Sequence, residues 1–161
     1  MPDDHAHHHA PPLDADALRA VLREAGLRVT RPRLAVLEAV DAHPHSDADQ
    51  VLRVVEGALP TTSIQAVYGV LGALAAAGLV RRIEPAGSSA RYERRTGDNH
   101  HHLVCTSCRT IVDVDCAVGE SPCLVPSDAA GFLVASAEVT YWGLCPACRA
   151  ASADPGATAA T

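Results

Sequence analysis

The chain has no lysine at all: its thirteen cations are arginines. Aromatic side chains make up 3% and methionine occurs once, so any core has to be built from alanine, valine and leucine. No run approaches the roughly 18 uncharged apolar residues that a membrane span needs, which excludes a spanning helix. The first residues carry Asp3, Asp4 and four histidines in place of a basic stretch followed by an apolar one, so they do not read as a secretory leader. A cytoplasmic protein is the expectation. Its 161 residues allow one large domain or two small ones.

A net charge of −6 is unfavourable for a nucleic-acid binder until it is divided along the chain. Residues 13–95 hold eleven arginines against ten acids, whereas residues 96–161 hold two arginines against seven acids, with two further acids in residues 1–12. The cations therefore sit in the first half and the acids in the second. All six cysteines fall between Cys105 and Cys148. A static disulfide framework does not suit a cytoplasmic protein, and such clustering points to a metal.

The ends read as disordered tails, residues 1–12 with His5, His7, His8 and His9, and residues 150–161. Between them the first half divides into four helices. Asp14 or Asp16 caps the first, with Leu18, Val21 and Leu22 on one face and Gly26 as its stop. Thr30 caps the second ahead of Pro32, with Leu34, Leu37 and Val40 inward. Ser46 or Asp47 caps the third, which turns Val51, Val55 and Leu59 inward. Thr61 to Ser63 precede the fourth, with Ile64, Val67, Leu71 and Leu74 inward and Gly78 as its stop. The period then changes. Residues 79–84 and 90–94 are short extended runs around a Pro-Ala-Gly-Ser-Ser turn, the signature of a hairpin. Helices followed by an arginine-bearing hairpin predict a winged helix over 13–95, with 96–99 as a hinge. Strand-like runs at 103–104, 111–114, 132–135 and 139–144 make residues 100–149 a second, α/β domain, and the fold class α+β.

Cys105-Thr-Ser-Cys108 and Cys145-Pro-Ala-Cys148 are two CxxC knuckles 36 residues apart. Two residues between cysteines let both thiolates face one ion, and two knuckles complete a closed tetrahedral zinc site of four thiolates. The competing reading is a thioredoxin-like redox motif, which comes singly and opens a helix after a strand. Paired knuckles favour structural zinc. Cys116 and Cys123 remain open between buried small hydrophobes and a peroxide-sensitive thiol pair. Just before the first knuckle, strand alternation would place His100 and His102 on one side and His101 on the other, a chelating pair. Glu93, Asp113 and His45 are candidates to complete it.

The order of winged helix, hinge, His-x-His, CxxC and terminal CxxC resembles the ferric uptake regulator family over about residues 14–149. The residues that carry this are Arg28 to Arg33, Ala66-Val67-Tyr68, Arg91-Tyr92-Glu93, His100 to His102, Cys105 and Cys108, Asp113, and Tyr141 to Cys148. The stretch Val114 to Cys123 is similar to an oxidative-stress branch associated with catalase–peroxidase control. The resemblance implies a metal-dependent repressor and homodimer, controlling iron or oxidative-stress genes, with a regulatory Fe(II) or Mn(II) held by His45, Glu93, His100, His102 and Asp113. The resemblance implies His45 and not His43, because His45 stands six residues before Val51, the family spacing. Nitrogen and oxygen ligands suit Fe(II) or Mn(II), while a zinc sensor more often recruits a thiolate. His101 and Glu120 fit a further family site, but Asn99 and Ala137 stand where other members offer histidines. Pro122 and Pro126 interrupt the helix usual in this domain.

Gln65 and Tyr68 are the exposed polar candidates of the expected recognition helix, residues 63–77. Arg31, Arg33, Arg81, Arg82 and Arg91 are candidates for the phosphate backbone. An arginine common in the family at position 69 is replaced by Gly69. A dimer would read an AT-rich inverted repeat of double-stranded DNA. A zinc-ribbon interaction module explains the cysteines but leaves His100, His102, Glu93 and the winged helix idle. A zinc deaminase needs His-x-Glu and a proline before its first cysteine; Pro146 follows Cys145 and no His-x-Glu exists, so no enzyme is expected.

Overall fold

The computed structural model describes residues 11–94, 100–115, 130–133 and 139–153. The expected hinge, Cys116, Cys123, Glu120 and Ala137 lie outside the described residues. The chain forms two compact units, a helical one over His8–Asp98 and a sheet unit over Asn99–Thr161. No helix among the described residues is long and apolar enough to cross a membrane.

The helical unit comprises α1 (Ala15–Glu24), α2 (Arg31–Ala42), α3 (Ala48–Glu56) and α4 (Ile64–Ala76), followed by β1 (Arg81–Ile83) and β2 (Arg91–Glu93). Each of these four helices starts on a side-chain oxygen. Asp14, Thr30, Asp47 and Ser63 accept from backbone N–H groups of the first turns, and Asp47 forms a full capping box with Gln50. Each such cap contributes about 1 kcal/mol. Gly26 and Gly78 take left-handed φ values of 71° and 70° just beyond α1 and α4, where a side chain would be strained. The inward faces of the helices meet in one core containing Leu18, Leu22, Leu37, Val51, Val67 and Leu71. Leu59 falls beyond α3, which ends at Glu56 with Gly57 as its C-cap, yet it still packs against that core. β1 and β2 pair antiparallel, Arg82 opposite Tyr92, and complete the winged-helix order. Tyr92 is 4% exposed and pins the hairpin to the helical core.

The sheet unit is built on β3 (His100–Cys105), flanked by β4 (Ile111–Asp115) antiparallel and β5 (Thr140–Gly143) parallel, in the order β4-β3-β5. Helix α5 (Pro146–Ala153) follows directly. Two expectations change. Phe132 and Leu133 lie in no strand and are 79% and 98% exposed; left-handed Ala130 and Gly131 precede them, turning the chain where pairing would start. Residues 150–153, expected in the tail, belong to the helix that the second knuckle opens, and residues 154–161 lie outside the described residues.

Candidate metal centres and nucleic-acid face

Cys105 closes β3 and Cys108 lies in the turn after it. Arg109, left-handed at φ 63°, folds that turn back so that its N–H donates to the Cys105 carbonyl at 3.0 Å. The second knuckle leaves β5 and enters α5 through Pro146, suited to a first helical turn because it has no N–H to satisfy. Thr106 N–H donates to the Gly143 carbonyl at 2.8 Å, tying one knuckle to the other. All four sulfurs lie within 4.8 Å of one another. Cys108 Sγ and Cys145 Sγ are 3.7 Å apart. Zinc–sulfur bonds of about 2.3 Å in a tetrahedron put sulfurs roughly 3.8 Å apart, so the cluster fits a closed zinc site. The second knuckle alone, a CxxC at a helix start after a strand, has the local form of a redox motif; the first knuckle's sulfurs facing it decide for metal.

The electrostatics prepare the cluster unevenly. Backbone N–H groups, of Cys145 first and Cys108 next, hold the Cys105 thiol at about 6 against its ordinary 9.0. The Thr110 hydroxyl lowers Cys108. At Cys148 the Ser107 contact pulls downward, but the thiols of Cys145 and Cys108, with burial, outweigh it and push the group up to about 11. At neutral pH Cys105 is already a thiolate, whereas Cys148 must release a proton to bind zinc, so zinc affinity rises with pH.

The expected regulatory ligands fall into two groups, each within one unit. In the helical unit His45 Nε2 and Glu93 Oε2 are 3.0 Å apart. His45 precedes α3 in the left-handed region at φ 61°, a conformation costing an ordinary residue on the order of 1 kcal/mol. It is held there by pairing with the hairpin: His45 N–H donates to the Tyr92 carbonyl at 2.9 Å, and Tyr92 N–H to the Ser46 carbonyl at 3.0 Å. Glu93, the next residue of β2, is thereby delivered to the imidazole. Its side chain is 1% exposed, and Arg81 stands 4.0 Å from its other oxygen.

In the sheet unit His102 pairs across to Asp113. Asp113 Oδ1 lies 3.6 Å from His102 Nε2 and 4.0 Å from His100 Nε2. The His100 and His102 rings meet edge-on at 4.9 Å, on one face of β3 as alternation requires. His101 meets Tyr141 in the same sheet, its ring centroid 6.1 Å away. All three histidines are buried. Imidazole and carboxylate are the ligand types Fe(II) and Mn(II) take, and two such half-sites fit those ions.

On the nucleic-acid face, Gln65 is exposed and Tyr68 is 52% exposed on the first two turns of α4. Arg31 is exposed, and Arg33 reaches back to donate to the Arg28 carbonyl at 2.9 Å. Arg82, 53% exposed, pairs with Glu84. Arg91 departs from expectation. Its side chain is 16% exposed and engaged internally, donating to Gln50 Oε1 at 3.1 Å and lying 3.5 Å from Asp47 Oδ2. Arg94 likewise binds Asp41, which also accepts the Leu13 N–H at 2.6 Å. Neither engagement is visible in local sequence, since the partners stand some 40 to 50 residues upstream.

Residues 24–140 match the ferric uptake regulator family. The chain is 68% identical over 127 residues to transcriptional regulator FurA of Mycobacterium tuberculosis, covering 79% of this chain and 86% of that one. It is 31% identical to the peroxide operon regulator of Bacillus subtilis over 128 residues, 79% of this chain and 88% of that one. Among solved structures, the ferric uptake regulator of Pseudomonas aeruginosa with manganese superposes with a TM-score of 0.59 at 26% identity, over 80% of this chain and 97% of that one. The chain belongs to the ferric uptake regulator family of metal-dependent, DNA-binding, dimeric transcription repressors.

Proposed function

We propose that one Fe(II) or Mn(II) ion is shared by His45 and Glu93 of the helical unit and His100, His102 and Asp113 of the sheet unit, and that its binding selects the DNA-competent dimer. The carrying observation is that each unit gathers imidazole beside a carboxylate that is almost wholly buried, Glu93 at 1% and Asp113 at 8% exposure. Carboxylates are seldom so buried unless paired or ligating. Neither half-site alone offers enough ligands for a six-coordinate ion. Sharing one therefore restricts the two units to a single relative arrangement, a population shift that needs no further contact. Cys105, Cys108, Cys145 and Cys148 hold a separate structural zinc and take no part in the switch.

The dimer reads an AT-rich inverted repeat, with Gln65 and Tyr68 of α4 at base edges and Arg31, Arg33 and Arg81 at phosphates, in the cytoplasm. Fe(II) held there would supply electron-transfer chemistry toward peroxide, and His45, His100 and His102 are the imidazoles that would hold it. The likeness to a relative named for a peroxide operon supports an oxidative-stress role beside an iron one. The test is binding to an AT-rich inverted repeat by zinc-only protein, then with Mn(II) or Fe(II), then after peroxide. Binding that needs the second metal, and that only the Fe(II) form loses to peroxide, is the expected result. Fe(II) activation without peroxide loss would leave an iron sensor. No response to either metal, with one ion per chain, would leave a zinc-ribbon module and sink the proposal.

A further inference from the structure

We propose that Arg91 is a positioning residue for the metal, holding the His45–Glu93 half-site in ligating geometry instead of contacting DNA. The inference rests on the reading of His45 and Glu93 as ligands.

Arg91 begins β2, two residues before Glu93, and its guanidinium turns back across the loop that carries His45. One nitrogen, Nη1, donates to Gln50 Oε1 at 3.1 Å and reaches the His45 carbonyl at 3.5 Å, with Asp47 Oδ2 also at 3.5 Å. Gln50 and Asp47 are the two members of the α3 capping box, joined to each other by reciprocal bonds of 2.9 and 2.8 Å. A single cation thus fastens three things: the strand delivering Glu93, the first turn of α3, and the carbonyl of a histidine held left-handed. The His45 carbonyl contact is the longest of the set and acts as a directional charge restraint; the bond to Gln50 is the anchor. Backbone pairing of Ser46 with Tyr92 fixes the register of the loop. The His45 carbonyl lies beyond those backbone bonds, while its ring is met by Glu93. The guanidinium supplies what the bridge lacks. All three contacts are made by the one nitrogen Nη1, so it is the reach and the charge of the side chain that serve this task. Moving Arg91 onto a phosphate would leave the capping-box acid without its cation and release the His45 carbonyl.

The full-length, zinc-loaded protein is titrated with Mn(II), and DNA affinity is then measured at saturating Mn(II) over a range of salt. Removing a group that orients a ligand typically weakens metal binding by about 10- to 100-fold. Arg91→Ala is expected to show that loss, and Arg91→Lys a smaller one, because the shorter ammonium keeps the charge near Asp47 but not the reach to Gln50 and the His45 carbonyl. At saturating Mn(II) both variants should recover parental DNA affinity with an unchanged salt slope. Hydrogen exchange of the His45 amide, which is bonded to Tyr92, should speed up in Arg91→Ala before metal is added. A DNA-contacting Arg91 gives the opposite pattern, with Mn(II) affinity intact and the salt slope flatter by about one; that result overturns the inference. His45→Ala is the control. If it weakens Mn(II) binding while Arg91→Ala does not, Arg91 has no positioning role. If His45→Ala leaves Mn(II) binding unchanged, the ligand assignment itself falls, and the inference with it.

Discussion

The two metal centres of this chain are organised in opposite ways. The cysteine cluster takes four like ligands from two short knuckles of a single unit, joined by backbone bonds such as Thr106 to Gly143. The proposed imidazole–carboxylate ligands come from five separated positions, two in the helical unit and three in the sheet unit. A closed, local site of soft ligands holds its ion through every functional state and works as part of the fold. A site assembled from two pieces binds only as strongly as the arrangement of those pieces allows, so occupancy and arrangement become coupled quantities. On the proposed reading the same chain keeps one ion permanently and responds to the other.

The largest effect should come from attacking the local site. Structural zinc contributes on the order of 10 kcal/mol to small domains that depend on it. Cys108→Ala, or a strong chelator, is expected to abolish dimerisation in size-exclusion chromatography and collapse amide protection of β3 and β4. The α1–α4 helices should persist by circular dichroism, since their core contains none of the cysteines. Acid should act the same way. Because the Cys105 thiol is held below its ordinary value, its share of the stabilisation is present above pH 9 and lost as pH falls through about 6. Zinc release followed with a chromophoric chelator should therefore increase as pH falls through that range. Zinc release near neutrality would break the contrast between a permanent and a responsive ion.

Next in size is the divided site. Glu93→Ala and His102→Ala should each weaken Mn(II) binding by more than about 100-fold, beyond the loss from removing a group that merely orients a ligand, while zinc stays at one ion per chain. DNA binding should then require proportionately more Mn(II). Equal losses from the two substitutions would sharpen the idea of a shared ion, since one ligand belongs to each unit. Loss from only one of them would mean that a single unit does the binding. The smallest effect concerns neither centre. Arg31→Ala should flatten the dependence of DNA affinity on salt by about 0.9 in log–log slope and leave Mn(II) affinity alone.

Much of this was legible in the chain because the signals were local. Asp14, Thr30, Asp47 and Ser63 cap where their side chains permit, Gly26 and Gly78 stop where a left-handed residue is needed, and paired knuckles specify their own geometry. What escaped was non-local. Nothing near Arg91 announces Gln50, and nothing near His45 announces that its φ is 61°, because a hairpin some 45 residues downstream imposes it. The parallel pairing of β5 with β3 is equally unreadable from either segment alone. Phe132 and Leu133 show the reverse error: their side chains favour a strand, but they stand exposed just after a left-handed turn at Ala130 and Gly131.

The position of the second knuckle also sets an order of events during synthesis. The described helical unit is complete at Arg94, whereas the zinc site needs Cys148, 54 residues later. At 5–20 residues per second a ribosome takes roughly 3 to 10 seconds to cover that interval. Throughout it the nascent chain owns a finished helical unit and an unclosed sheet, so its earliest folded form lacks the zinc clasp. The sheet unit is thus completed last, when the final knuckle emerges and the newly made protein meets zinc.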